Sequence, residues 1–285
     1  MEDPYSALAR DCAEIALQAA GPVLEIYHQD FTARPKADGS PVTEADLLAD
    51  AHIRHALHMR WPDIPIVSEE SFDAPSLPLE RYFLVDPLDG TREFLNRTGQ
   101  FTINIALIEN GRSVAGAIYA PIQSSLYFAG HHAYEISNIK LGDKIADHAI
   151  QTIRIRDAIP DRLIALASLS HGDPDTEAYL DRMHGTEIRK SGSSLKFCLI
   201  ARGDADFYPR FSPTMGWDIA AGQAILNAAG GSILDVSGQE FRYYNAVQKN
   251  GPFVAFGDRQ MIGNLMPDFI QIALTRHSAK SGIAE

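Results

Sequence analysis

A chain of 285 residues, 45% of them hydrophobic, can bury a large core as one domain or as two subdomains of about 100–150 residues. With 25 Lys and Arg against 37 Asp and Glu, its formal net charge of −12 argues against a duplex nucleic-acid surface and against a polybasic membrane patch. Cys12 and Cys198 match no zinc spacing and are expected as core thiols; neither a signal peptide nor an apolar run near ~18 residues stands out, so a cytoplasmic protein without an integral membrane segment is expected, peripheral association left open.

From Tyr5 to Tyr27, Leu8, Cys12, Ile15, Ala16, Ala19, Val23 and Leu24 recur at steps of three and four, which predicts an amphipathic helix. A turn-rich connector, Lys36 to Val42, leads into Thr43-Glu-Ala-Asp46, which caps and opens a second helix reaching about Met59, with Asp46 in its first turn. Tyr82-Phe-Leu-Val85 reads as a buried strand, expected to stop at Asp86 because Pro87 fixes the backbone and lacks a ladder donor. Asp89 follows three residues later, so one tight turn aims two carboxylates and the Leu88 carbonyl at one point, an oxygen set suited to Mg²⁺. Gly90 relaxes the backbone, and Thr91 opens a helix whose unpaired N–H groups suit a phosphate. A lone Asp-Gly is most often a plain loop; the complete string Asp86 to Thr91 carries the stronger reading.

Phe101–Ile108 and Ser113–Tyr119 read as strands joined through Glu109-Asn110-Gly111, where Asn-Gly suits a type I′ turn. Another strand is expected at Ser125–Phe128. The weakly patterned stretch Ser137–Gln151 then sets a junction within residues 130–160, giving units 1–145 and 146–285. The second unit should contain strands at Leu163–Ala167, Ala205–Tyr208 and Ser232–Val236, and helices at Pro174–Met183, Ser194–Ala201 and Ile219–Ala229, the last ended by Gly230-Gly231. Such alternation makes an α/β second half after an α+β first half.

Glu69, Asp86, Asp89 and Asp218 are candidate metal ligands, with Asp46 a further acid. Each alone is more often a solvated surface carboxylate. Asp218, however, lies between Trp217 and Ile219 at a helix start, where the helix dipole favours an anion. Four or five converging carboxylates repel one another unless two or more divalent cations sit among them. Lys196, on a helix opened by Ser193, and Arg210, after a strand, are candidates to hold a phosphate that is not cleaved.

Ser68-Glu-Glu-Ser71, Asp86-Pro-Leu-Asp-Gly-Thr91 and Trp217-Asp-Ile-Ala-Ala-Gly222 resemble, in order and over most of the chain, the signature segments of the lithium-sensitive, Mg²⁺-dependent sugar-phosphatase superfamily that includes inositol monophosphatase. Lys36–Asp46, Arg92–Ala106, Gly192–Cys198 and Tyr208-Pro-Arg-Phe211 resemble its bacterial 3'(2'),5'-bisphosphate nucleotidase branch. This resemblance implies a layered αβαβα fold and hydrolysis of adenosine 3',5'-bisphosphate to AMP and phosphate, in sulfur metabolism, by direct attack of a water activated with two or three Mg²⁺. It implies Glu69, Asp86, Asp89, Asp218 and the Leu88 carbonyl as metal ligands, Asp46 and Thr91 as the proton-accepting pair, and Glu70 as an orienting group. It also implies substrate contacts from Gly90, Thr91, His171, Gly192, Ser193, Lys196, Arg210 and Asp218.

Phe211 stands where inositol phosphatases place a substrate-binding glutamate, seven residues before Asp218, and an aromatic beside Arg210 suits a base and a phosphate better than a polyol. Leu169 stands where bacterial nucleotidases often carry arginine. The alternatives are an inositol monophosphatase or broad sugar phosphatase and, outside enzymes, a nucleotide sensor on the same fold; no metal ligand or water-activating group is missing, which counts against the sensor. The expected partner is a small phosphorylated substrate, and the sequence does not set the oligomeric state.

Overall fold

A computed structural model of the chain describes residues 3–29, 32–35, 41–71, 79–170, 172–244 and 249–281. Helix α1 (Pro4–Tyr27) begins where the Asp3 carboxylate accepts the N–H groups of Tyr5 and Ser6 at 3.2 and 2.9 Å. Of the Lys36–Val42 connector, residues 36–40 lie outside the described residues; the flanking strands β1 (Arg34–Pro35) and β2 (Pro41–Val42) pair antiparallel. Helix α2 (Glu44–Arg60) opens on a capping box: Thr43 Oγ1 accepts from the Ala45 N–H at 3.2 Å, and Asp46 Oδ2 accepts from the Thr43 N–H at 2.8 Å.

Seven strands follow in one sheet: β3 (Ile66–Ser68), β4 (Arg81–Asp89), β5 (Thr102–Glu109), β6 (Arg112–Ala120), β7 (Ser125–Ala129), β8 (Ala133–Ser137) and β9 (Gln151–Ile153). They lie side by side in chain order, antiparallel except for β3 with β4. A short helix, α3 (Thr91–Leu95), joins β4 to β5. Asn110 and Gly111 take φ of 50° and 71°, the positive pair expected of the β5–β6 turn. One expectation is corrected: β4 does not stop at Asp86 but continues to Asp89, because a register shift between Asp86 and Asp89 accommodates Pro87 and the ladder resumes at Asp89 with Thr102. Strands β3, β8 and β9 were also not expected.

The second sheet contains β10 (Ile164–Ser168), β11 (Glu187–Ser191), β12 (Phe207–Arg210), β13 (Ser232–Asp235) and β14 (Phe253–Phe256), in the order β11-β10-β12-β14-β13. The first three run parallel, and β14 is antiparallel to β12 and β13. Helices α4 (Pro174–Arg182), α5 (Leu195–Ala201), α6 (Gly216–Ala228) and α7 (Ile262–Ser281) complete the unit; β11, β14 and α7 were not anticipated.

Three apolar layers bind these elements. Phe83, Val85, Ile103 and Ile105 face α1 and α2, whereas Tyr82, Leu84, Ala106 and Ile108 face α5, α6 and the inner side of the second sheet. Tyr179 and Phe269, from α4 and α7, cover its outer side with Phe207 and Val254. The result is an αβαβα stack. Alternate residues of β4 and β5 enter different cores, which explains runs that are apolar throughout rather than alternating. Each large side chain so buried contributes on the order of 1.5–3 kcal/mol. Helix α6 lies directly on β6, since a Cβ at Gly116 would come 2.7 Å from the Ala221 carbonyl oxygen. That close approach brings the first turn of α6 to the strand ends of the first sheet. Cys12 and Cys198 are buried free thiols.

Candidate active site

The end of β3, the bulged end of β4 and the first turn of α6 meet in a cleft of about 350 Å³. Glu69, Asp86 and Asp218 each offer a carboxylate oxygen there, all within 4.8 Å of one another. Backbone amides hold two of these acids: Leu88 N–H donates to Asp86 Oδ1 at 3.1 Å, and Met215 N–H, at the cap of α6, donates to Asp218 Oδ2 at 2.8 Å. Asp89 and Leu88 line the same cleft, and Asp89 Oδ2 accepts from the Ser194 N–H at 2.6 Å, a bond between the two halves of the chain. Gly90 takes φ 91°, a conformation that strains any other residue, and so turns the chain from β4 into α3.

Thr91 lines the cleft, while Asp46 is buried just behind it. Thr91 Oγ1 donates to Asp46 Oδ1 at 3.3 Å and also lies 3.4 Å from the Leu88 carbonyl. The other oxygen of Asp46 takes the Thr43 N–H and hydroxyl, at 2.8 and 2.6 Å. The capping box that starts α2 thus also orients the acid behind Thr91. Glu70 is half-buried, one residue beyond the cleft wall.

Ser193, Lys196 and Arg210 reach the cleft from the second half. Ser193 adopts φ 49°, and its Oγ lies 2.8 Å from Thr102 Oγ1. Lys196 is buried rather than exposed: Nζ donates to the carbonyls of Ser191 and Ser193 at 3.2 and 2.5 Å and sits 4.9 Å over the Tyr208 ring. Arg210 donates to the Tyr208 hydroxyl at 3.2 Å and to the Ser212 carbonyl at 3.3 Å. Gly192 supports this turn from outside the cleft wall. Its N–H donates to Gln100 Oε1 at 2.7 Å, and a Cβ there would meet the Gln100 carbonyl at 2.7 Å. His171 lies outside the described residues.

Phe211 is corrected: it packs in the outer core at 5.9 Å from Tyr179 and 4.7 Å from Phe269, so it offers no face to a base. Residues of the cleft wall that sequence reasoning did not assign include Arg92, Glu93, Thr214 and Lys249. Glu93 was legible in principle, two residues after Thr91 on a short helix. Lys249 carried no signal, since it reaches the cleft only because residue 250 bridges to Thr214.

Burial pushes the Asp218 carboxyl up to about 8, assisted by the charges of Asp89 and Glu69. Burial also raises Asp89 to about 6 against the pull of Lys196, and lowers the Lys196 ammonium to about 8. Carboxylates so close and so desolvated fit a divalent cation, which replaces the protons they otherwise hold. A pH dependence follows. Between its ordinary 3.8 and about 8, Asp218 keeps a proton in the folded state that the unfolded chain has lost, so it makes metal-free stability fall as pH rises through that window. Thermal melts in EDTA at about pH 5.5 and about pH 8 should show this fall, and D218N should flatten it. Added divalent cation should raise the wild-type Tm more at the higher pH. An equal slope in wild type and D218N would contradict this account.

A model of the inositol monophosphatase family matches residues 5–261. Over 238 residues the chain is 39% identical to the 3'(2'),5'-bisphosphate nucleotidase CysQ of Escherichia coli K12 and 41% identical to that of Salmonella typhimurium, spanning 81% of this chain and 91% of each relative. Among solved structures, CysQ from Bacteroides thetaiotaomicron superposes with a TM-score of 0.77 at 37% identity, covering 90% of this chain and 99% of that one. The extragenic suppressor protein suhB of Bartonella henselae, 24% identical over 93% of this chain and 98% of its own, shares the fold with a TM-score of 0.75. On the family match and these relatives together, the chain belongs to the inositol monophosphatase family.

Proposed function

We propose that this phosphatase hydrolyses the 3'-phosphate of adenosine 3',5'-bisphosphate, giving AMP and phosphate, as a cytoplasmic enzyme of sulfur metabolism. The observation that carries the reading is the sharing of one cleft by an acid cluster and by cations of the second half, Arg210 foremost. A bisphosphate needs both, one for the phosphate that leaves and one for the phosphate that stays. Relatives about 40% identical over most of the chain bear the name of a bisphosphate nucleotidase.

Glu69, Asp86, Asp89, Asp218 and the Leu88 carbonyl would hold two or three Mg²⁺, which when bound lower the pKa of a water and offset phosphate charge. Asp46 and Thr91 take up the proton of the attacking water: Thr91 Oγ1 already donates to Asp46 Oδ1, so a proton arriving at the hydroxyl passes to the carboxylate. The water oxygen bonds to phosphorus as the ester P–O bond on the opposite side breaks, and the released 3'-oxygen takes a proton from solvent water. Gly90 and Thr91 hold the reacting phosphate by their N–H groups, with Glu70 orienting from behind. The other phosphate and the nucleoside fall to residues 146–285, namely His171, Gly192, Ser193, Lys196 and Arg210. In that division, residues 1–145 bring most metal ligands. Besides facing the cleft, Lys196 steadies the Ser191–Ser193 turn through its bonds to the carbonyls of those two residues.

The test is a substrate panel under Mg²⁺, with Arg210→Ala beside wild type. Wild type should prefer the bisphosphate nucleotide over inositol 1-phosphate. R210A should raise KM for the bisphosphate about tenfold more than for adenosine 3'-monophosphate, the loss expected for a charged hydrogen bond. No turnover of the bisphosphate alongside good turnover of inositol 1-phosphate would sink the reading.

A further inference from the structure

Helix α2 carries a second buried acid one turn after Asp46. Asp50 is buried, and its Oδ1 accepts the Ser68 hydroxyl at 2.5 Å. Ser68 is itself buried and is the last residue of β3, immediately before Glu69. On its other side this strand end pairs with β4, where Ser68 aligns with Val85 and Glu69 N–H donates to the Val85 carbonyl at 3.2 Å. β3 is only three residues long and forms the edge of its sheet, so its own ladder gives it little rigidity. Arg54, half-exposed, lies 3.9 Å from Asp50 Oδ2 and adds little through solvent.

We propose that Asp50 is a positioning residue: through Ser68 it clamps the end of β3 to α2 and thereby fixes the Glu69 carboxylate for divalent metal. α2 then sets two parts of the centre from one rigid element. Asp46 orients Thr91, and Asp50, about 6 Å further along the axis, orients Glu69. A hydrogen bond between a hydroxyl and a carboxylate is short, directional and strong when both partners are buried, so it suits this role better than the exposed ion pair. The inference rests on Glu69 being a metal ligand.

The experiment is direct titration of Mn²⁺ into the free protein, followed by the EPR signal of unbound Mn²⁺, for wild type, S68A, D50A and D50N. S68A and D50A should weaken Mn²⁺ binding about tenfold. D50N keeps an oxygen acceptor for Ser68, now a neutral one, and loses the weak ion pair with Arg54, so it should retain most of the clamp and stay within about threefold of wild type. If D50A does not fold, S68A carries the test. Binding as tight as wild type in S68A, or a D50N defect as large as that of D50A, would overturn the clamp. So would a lowered Tm with unchanged Mn²⁺ affinity. A wild-type protein that bound no Mn²⁺ would instead overturn the metal reading itself.

Discussion

Asp86→Asn is expected to lower kcat for the bisphosphate substrate by about a thousandfold while raising the Tm of the metal-free protein. Asparagine is isosteric, and its Oδ1 still accepts the Leu88 N–H that Asp86 receives at 3.1 Å, so the bulge of β4 survives. What disappears is a negative charge from a cluster whose ligand oxygens lie within 4.8 Å of one another. Losing it removes several kcal/mol of metal-dependent stabilisation from the transition state. Without metal, the same charge repels that of Glu69, and its removal relieves that repulsion while the Leu88 hydrogen bond is kept. Steady-state assays and thermal melts in EDTA read the two effects separately. Full activity in D86N, or a lower metal-free Tm, would contradict the assignment.

Asp46→Asn should cost about a hundredfold to a thousandfold in kcat, through hydrogen-bond polarity rather than charge alone. Both oxygens of Asp46 accept: one from the Thr91 hydroxyl, the other from the Thr43 N–H and hydroxyl. An amide has one oxygen. If it faces Thr43, an NH₂ group meets Thr91 and the proton acceptor is gone; if it faces Thr91, the helix cap is broken at a cost of about 1 kcal/mol. Thr91→Val removes the hydroxyl and keeps the cap, so it should reproduce the kinetic loss without the stability loss. If T91V retained wild-type kcat, proton transfer through this pair would be excluded.

Much of the centre was legible because its chemistry is concentrated at element ends. An apolar run meeting Asp-Pro, then Asp-Gly-Thr, marks a strand running into a turn and a helix whatever surrounds it, and Trp217-Asp218 marks a helix start in the same way. What escaped depends on partners distant in sequence. β3 is a strand only because β4 lies beside it, and β14 only because it fits between β12 and β13. The register shift that lets β4 pass Pro87 is likewise set by β5. In α7, Leu265, Phe269 and Ile272 lie on the buried side at helical spacing, but Pro267 reads as a breaker in the sequence. Nothing in the sequence marks Lys196 as buried, because α5 has seven residues, too few for periodicity to say which side faces the core. Phe211 misled because it follows directly on the end of β12, where successive side chains point to opposite faces, so Arg210 reaches the cleft while Phe211 enters the outer core.

The enclosed ammonium of Lys196 bears on the charge balance of the centre. It sits among Asp89, Asp218 and Glu93 as a counter-ion supplied by the chain itself, present from the moment the second half folds. The Asp218 carboxyl, pushed up to about 8, adds no second negative charge below that pH. Part of the repulsion among these carboxylates is thus offset by the chain itself, and divalent cations need offset only the remainder.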